Sequence, residues 1–232
     1  MSGIESVVVC DTETTGFDPE TCSLLEVAAC GEDFGWWQYV EYEGEIPPDA
    51  RATHHISPDD VRPGAPNSDI RESVVSRLGD VCEGRVIVFH NAEFDLQFLP
   101  EVRDLDVICT LQCSRHLFPD APNHKNQTLR YYLDVTPRPE LVEGLAPHRG
   151  LYDSAVTMAI LERMLETCTV EQLVEMTKQP IFLKTVGFGK YKGQLWTDVP
   201  RDYLAWMRRS GNWDKDANVM HTLDVLTGRR AA

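Results

Sequence analysis

Residues 6–10 form a run of valines ended by a cysteine, with no polar alternation, which predicts a strand covered on both faces. Residues 24–30 and 36–42 read as two further strands, with Gly31 and Gly35 marking the turn between them. A stretch carrying Pro47, Pro48, Pro58, Pro63 and Pro66 reads as a loop. Residues 68–78 then have helical spacing, with Ser68 as N-cap and acids in the first turn. Residues 85–90 read as another buried strand, 93–99 as a short amphipathic helix and 104–109 as an edge strand. Helices are expected near residues 111–117 and 127–133, and a long one over 150–166, where apolar residues recur three and four apart. Thr169 and Gln172 have capping-box spacing and open a helix to about Lys178, which Gln179-Pro180 ends. A meander of strands followed by alternating strands and helices predicts an α/β fold with a mixed sheet.

Composition adds limits. The 232 residues are 42% hydrophobic and 25% charged, ordinary for a globular protein. No run approaches the roughly 18–20 apolar residues of a membrane span, and the N-terminus lacks the features of a signal peptide. Seven cysteines, odd in number and scattered, point to reduced thiols and a cytoplasmic location. The net charge of −15 at first argues against a polyanionic partner. The charge is segregated, however: residues 180–232 hold nine basic and five acidic groups, and the rest of the chain holds 13 basic and 32 acidic. We therefore expect a domain over 1–178 and a small basic, aromatic module with its tail over 179–232.

The candidate chemistry begins where the first strand meets Asp11-Thr12-Glu13. Two residues apart on extended backbone, Asp11 and Glu13 point to one face. Like charges so placed repel unless a cation sits between them, and a hard divalent ion such as Mg²⁺ or Mn²⁺ suits oxygen ligands. A strand end with solvated turn acids would read the same way locally. Two distant segments change that: His90-Asn-Ala-Glu-Phe-Asp95 and His148-Arg-Gly-Leu-Tyr-Asp153. Together with "DTETTG" they resemble the three signature segments of the DnaQ-like 3′→5′ exonucleases, in the subgroup with a histidine base called DEDDh.

That resemblance implies a ribonuclease H-like fold, with a mixed five-stranded sheet flanked by helices. It implies a two-metal hydrolysis of DNA phosphodiesters from the 3′ end, releasing nucleoside 5′-monophosphates, with two Mg²⁺ ions for which Mn²⁺ substitutes. Asp11 then bridges both ions, Glu13 and Asp153 hold the ion of the attacking water, Asp95 supports the second, and His148 is the general base. By the same likeness Thr14 and Thr15 contact the 3′-terminal nucleotide. "ATHHIS" resembles the family's Ala-x-x-His-Gly-Ile segment, which offers His54 to that nucleotide, with His55 in place of the usual glycine. Asn91 shapes the site and Phe94 stacks or packs beside it.

Residues 188–207 mix glycine, aromatic and basic residues. They resemble the C-terminal module of a bacterial member of this family, and Lys190 and Lys192 are candidate phosphate contacts. A strand–turn platform for nucleic acid and a small unit whose aromatics form its own core are both consistent with the composition. Cys109, Cys113, His116 and His124 offer a rival zinc set, although helical spacing equally makes the two cysteines buried apolar residues. Three other readings stand beside the DNA exonuclease: a proofreading subunit of a polymerase, an RNA-trimming enzyme, and a non-catalytic nucleic-acid-binding protein. DNA versus RNA, strandedness and oligomeric state are not encoded in these motifs.

Overall fold

The opening strand is longer than its apolar run. In the computed structural model, which describes residues 3–213 and 216–228, β1 spans Val7–Thr14 and carries Asp11 and Glu13 within it. Backbone pairing explains the extension, because residues 9–14 pair antiparallel with β2 (Leu24–Cys30) after the apolar side chains end. A register shift at Glu13/Thr14 then bends the ladder. β3 (Gly35–Val40) completes the meander.

The proline-rich stretch is not all loop. It holds α1 (Pro48–His54) and α2 (Pro58–Val61), each opened by a proline where an N–H has no helical partner to lose. Ser68 caps no helix. Ser68–Asp69 is β4, paired parallel with β3, and α3 (Arg71–Cys82) begins only after it. This two-residue strand gives the mixed sheet six strands instead of five. β5 (Val86–Phe89), α4 (Ala92–Phe98), β6 (Val107–Cys109), α5 (Thr110–Leu117), α6 (Asn126–Tyr132) and α7 (Pro139–Val142) follow. The long α8 (Gly150–Leu165) leads to α9 (Val170–Thr177). Thr169 and Gln172 close their capping box, with Thr169 N donating to Gln172 Oε1 at 2.8 Å and Gln172 N to Thr169 Oγ1 at 3.3 Å.

The strand order is β4-β3-β2-β1-β5-β6, so β1 is interior and β6 an edge, as its sequence predicts. Alternation along β1 sends Val7 and Val9 to one face, where they pack with Val156, Ile160 and Met164 of α8. Val8 and Cys10 go to the other, with Val74 and Leu78 of α3 and Phe98 of α4. A smaller cluster of Leu25, Tyr39, Ile46, Ile56 and Val61 lies under α1 and α2. These helical layers over a mixed sheet are the ribonuclease H-like architecture that the motifs imply.

The chain divides into two compact units, Met1–Thr177 and Lys178–Ala232. The second contains α10 (Arg201–Ser210) and α11 (Ala217–Thr227), short 3₁₀ turns and one antiparallel bridge, Thr185↔Leu195. Its core is Val186, Trp196, Val199, Leu204, Met207, Val219 and Leu223. The own-core reading of this segment therefore describes Trp196 and Leu204, which are buried, and Tyr203, half-buried against them, whereas Trp206 is exposed. All seven cysteines are free thiols and belong to the first unit, five of them buried. Among the described residues, no helix is long and apolar enough to cross a membrane.

Candidate active site

The face rule along β1 positions the site. Asp11 and Glu13 continue the row of Val7 and Val9 and so face α8, whose first turn supplies Asp153. β5 pairs with β1 only as far as Val9, and beyond that point β1 has no strand partner on that side. Ligand oxygens of Asp11, Glu13 and Asp153 all lie within 4.8 Å of one another. Thr12 faces the opposite layer, and its hydroxyl donates to Asp95 Oδ1 of α4 at 2.8 Å. Asp95 thus comes to the end of the sheet from the other helical layer, beside the three-carboxylate group and not within it.

Uncompensated charge dominates here. Burial raises the Asp11 carboxyl well above its usual range, and Asp95, Glu13 and Asp153 raise it further. Glu13 is pushed up to about 9, by burial first and then by Glu26 and Asp153. Asp95 is raised to about 7 by burial, against the lowering effect of the Thr12 hydrogen bond. Asp153 is also raised by burial, opposed by its bonds to His148 and Gln127. Carboxyls this costly to ionise call for a cation, and an all-oxygen donor set fits a hard divalent ion.

His148 has a left-handed backbone, φ 65°, and its side chain is 57% exposed. Its backbone N–H donates to Asp153 Oδ2 at 2.9 Å, and its Nδ1 lies 4.0 Å from the same oxygen. The Asp153 carboxylate therefore fastens the turn that carries His148.

Four supporting residues escape the motif reading: Thr12, Glu26, Gln127 and Arg149. Glu26 lies on β2 directly opposite Glu13 and is 1% exposed. Arg149 donates to both of its carboxylate oxygens, at 3.2 and 3.4 Å, and to the Tyr39 hydroxyl at 2.6 Å. The guanidinium also lies 5.4 Å from the ring centres of Trp37 and Tyr39. Gly150 N donates to Glu26 Oε2 at 3.3 Å. One signal was available in the sequence, since a single charge inside the apolar run "LLEVAAC" demands a cationic partner. Gln127 donates to Asp153 Oδ1 at 3.0 Å, and no local pattern marks it.

The Thr14 hydroxyl donates to Gly16 O at 2.6 Å and the Thr15 hydroxyl accepts from Ser23 N at 2.9 Å, so both serve the turn after β1. His54 is buried at the end of α1, accepts from Ile56 N through Nδ1, and is lowered to about 4 by burial and Arg149. His55 takes the left-handed conformation, φ 61°, that a glycine adopts at lower cost. Asn91 does the same at the start of α4, φ 80°, and its side chain is exposed. Phe94 packs between core Phe98 (5.3 Å) and Phe17 (6.0 Å), a ring 85% exposed beside the site. Lys190 and Lys192 are exposed in the second unit. The rival zinc set is not assembled: Asp11, Glu13 and Asp153 are the only metal-competent group among the described residues. Cys113 instead donates to Leu173 O, and His124 Nδ1 meets the Ser114 hydroxyl.

Comparison with known proteins agrees with this geometry. Residues 8–161 match the family described as Exonuclease, and residues 171–220 match a family described as quorum-sensing-regulated virulence factor. The chain is 37% identical over 125 residues to exodeoxyribonuclease 10 of Escherichia coli (strain K12), across 52% of this chain and 55% of that protein. It is 30% identical over 178 residues to the PolC-type DNA polymerase III of Bacillus subtilis (strain 168), across 70% of this chain and 12% of that one. Thus the chain spans about half the length of the first relative and a small part of the second. A solved structure of exonuclease X in complex with 5′-overhanging duplex DNA superposes with a TM-score of 0.61 at 28% identity, covering 74% of this chain and 99% of that one.

Proposed function

The chain belongs to the exonuclease family, and on that premise we propose that it is a metal-dependent 3′→5′ exodeoxyribonuclease that releases nucleoside 5′-monophosphates. The observation that carries the reading is the convergence of Asp11, Glu13 and Asp153, with Asp95 reaching the same end of the sheet. Relatives named for DNA degradation and a neighbour solved with DNA support that substrate.

Asp11, Glu13 and Asp153 would hold one divalent ion, and Asp11 with Asp95 a second. When bound, Mg²⁺ or Mn²⁺ supplies Lewis-acid polarisation of the scissile phosphate and of water, and neutralises charge on the leaving oxygen. His148 accepts the proton of the attacking water at Nε2, since its Nδ1 is turned to Asp153. Asp153 fixes the turn bearing that imidazole, and its own carboxylate is oriented by Gln127. The water oxygen bonds to phosphorus as the P–O3′ bond breaks, the 5′-monophosphate leaves, and the freed O3′ takes a proton from solvent to become the 3′-hydroxyl of the shortened strand. Thr14, Thr15, His54, Asn91 and Phe94 line the position of the terminal nucleotide, and Lys190 and Lys192 take backbone phosphates. Unpaired thiols accord with a reducing cytoplasm.

Retention of all five motif residues weighs against a purely binding role. A proofreading role is the second reading, favoured by the likeness to a polymerase. Purified protein with Mg²⁺ is expected to shorten a 5′-labelled single strand from its free 3′ end, EDTA to stop it, and Asp11→Asn to abolish it. Undiminished cleavage by Asp11→Asn would sink the assignment. Parallel digestion of single-stranded DNA, duplex DNA and RNA identifies the substrate class.

A further inference from the structure

The aromatic residues of the second unit fall into two groups. Phe188, Trp196 and Trp213 turn inward, with Phe188 stacked on Trp213 at 4.0 Å and Trp196 fully buried. Tyr191 and Tyr203 pack half-buried against the same core, and with Trp206 they form a row that ends at the unit's surface. The Tyr191 and Tyr203 rings are 4.8 Å apart at 67°, and those of Tyr203 and Trp206 are 5.2 Å apart at 38°. Tyr203 and Trp206 are three residues apart on α10 and so neighbours on one helix face, while Leu204 and Met207 take the core. Trp206 is 49% exposed and no member of that core. Half in water, its amphipathic ring can stack on a flat partner.

The charges around the row bear on the chemistry of that partner. Lys190 Nζ lies 5.2 Å from the Tyr191 ring centre, and Lys192 is exposed two residues on. Gly189 (φ 65°) and Gly193 (φ 86°) make the tight turn that carries both lysines. Residues 178–232 hold ten basic and five acidic groups, against 12 and 32 in the rest of the chain. A polyanion is thus drawn to this unit of an otherwise acidic protein.

We propose that the Tyr191–Tyr203–Trp206 row, flanked by Lys190 and Lys192, is a binding surface for single-stranded nucleic acid. A base stacks on the exposed Trp206 ring, which Tyr203 and Tyr191 back from the core side, while the ammonium groups meet backbone phosphates. A duplex hides its base faces, so aromatic rings select the single strand. The inference rests on the reading of the chain as a nuclease and gives it a second grip on its strand, apart from the carboxylates.

The test uses the full chain in EDTA and fluorescence anisotropy with a labelled oligothymidylate of about 20 nucleotides. Trp206→Ala is expected to weaken binding roughly tenfold, as loss of a stacked base does, and Trp206→Phe to restore most of it. Lys190→Glu is expected to weaken binding and flatten its salt dependence. Trp206 is half exposed, so its variants should fold, and circular dichroism checks this. Wild-type affinity in both Trp206→Ala and Lys190→Glu overturns the proposal. Equal losses on blunt duplex and single strand, or losses confined to anionic vesicles or to self-association, overturn it as well. Hydrolysis of the p-nitrophenyl ester of thymidine 5′-monophosphate by the unaltered chain with Mg²⁺ tests the nuclease reading separately. Its absence beside intact, Trp206-dependent binding removes that reading and leaves the surface standing.

Discussion

Arg149 spans the Glu26 carboxylate, the Tyr39 hydroxyl and the Trp37 ring from the position next to His148. A planar fork suits that task and an ammonium does not. Arg149→Lys is therefore expected to lower kcat by about 10–100-fold with KM nearly unchanged, as loss of an outer positioning contact does. An unchanged kcat would show that the fork does not position the His148 turn. The carboxyls make a second prediction. Glu13 and Asp95 keep their protons to about 9 and about 7 in the folded chain, whereas the unfolded chain releases them near pH 4. The folded state then holds more protons across this window, so metal-free stability falls as pH rises from about 4 through about 7 and towards about 9. Bound Mg²⁺ would displace those protons. Its stabilisation, read as the difference in Tm between Mg²⁺ and EDTA, is expected to be larger at about pH 8.5 than at about pH 6. A metal effect independent of pH would contradict the raised carboxyls.

At the scale of elements, Gly150 lets the start of α8 lie close against β2. A Cβ added to Gly150 would stand 2.9 Å from Ala28 Cβ and 3.6 Å from Glu26 Cδ. Gly150→Ala is expected to lift the start of α8 off the sheet and cost about 1–3 kcal/mol. Because Arg149 and Asp153 move with that helix end, urea midpoint and kcat should fall together. A fall in stability alone would separate packing from the site. This contact also marks where the sequence stops being legible. The apolar part of β1 and the helix over 150–166 follow from periodicity, and the five motif residues from the resemblance of three segments to a known family. The extension of β1 through its acids does not, because it depends on a ladder with β2 formed some fifteen residues later. Ser68 has the local signature of a cap, yet pairing with Tyr39 across the sheet takes it into β4. Arg149 looks like an ordinary surface arginine until Glu26 is placed beside it. The helix α11 escaped pattern reading, although Asp216 caps it by accepting from Asn218 N and Val219 N at 3.0 Å.

Across the whole molecule, the two units are built on separate apolar cores and carry opposite net charge. The acidic one holds the carboxylates and the basic one the aromatic row. That segregation fits the proposed exonuclease, whose chemistry would need cations and whose substrate would be a polyanion. The distribution of sulfur has a further use. Every thiol belongs to the first unit, and the buried ones sample β1 (Cys10), β2 (Cys30), α3 (Cys82), β6 (Cys109) and α5 (Cys113). Alkylation under native conditions would therefore register opening of the first unit element by element, with the other unit silent. Cys10 precedes Asp11 in the same strand, whereas Cys113 lies in α5 under α9. Mg²⁺ is expected to slow modification of Cys10 and Cys30 more than that of Cys113, as peptide mass spectrometry would read. The unpaired sulfurs make this protein its own map of where metal binding stiffens the sheet.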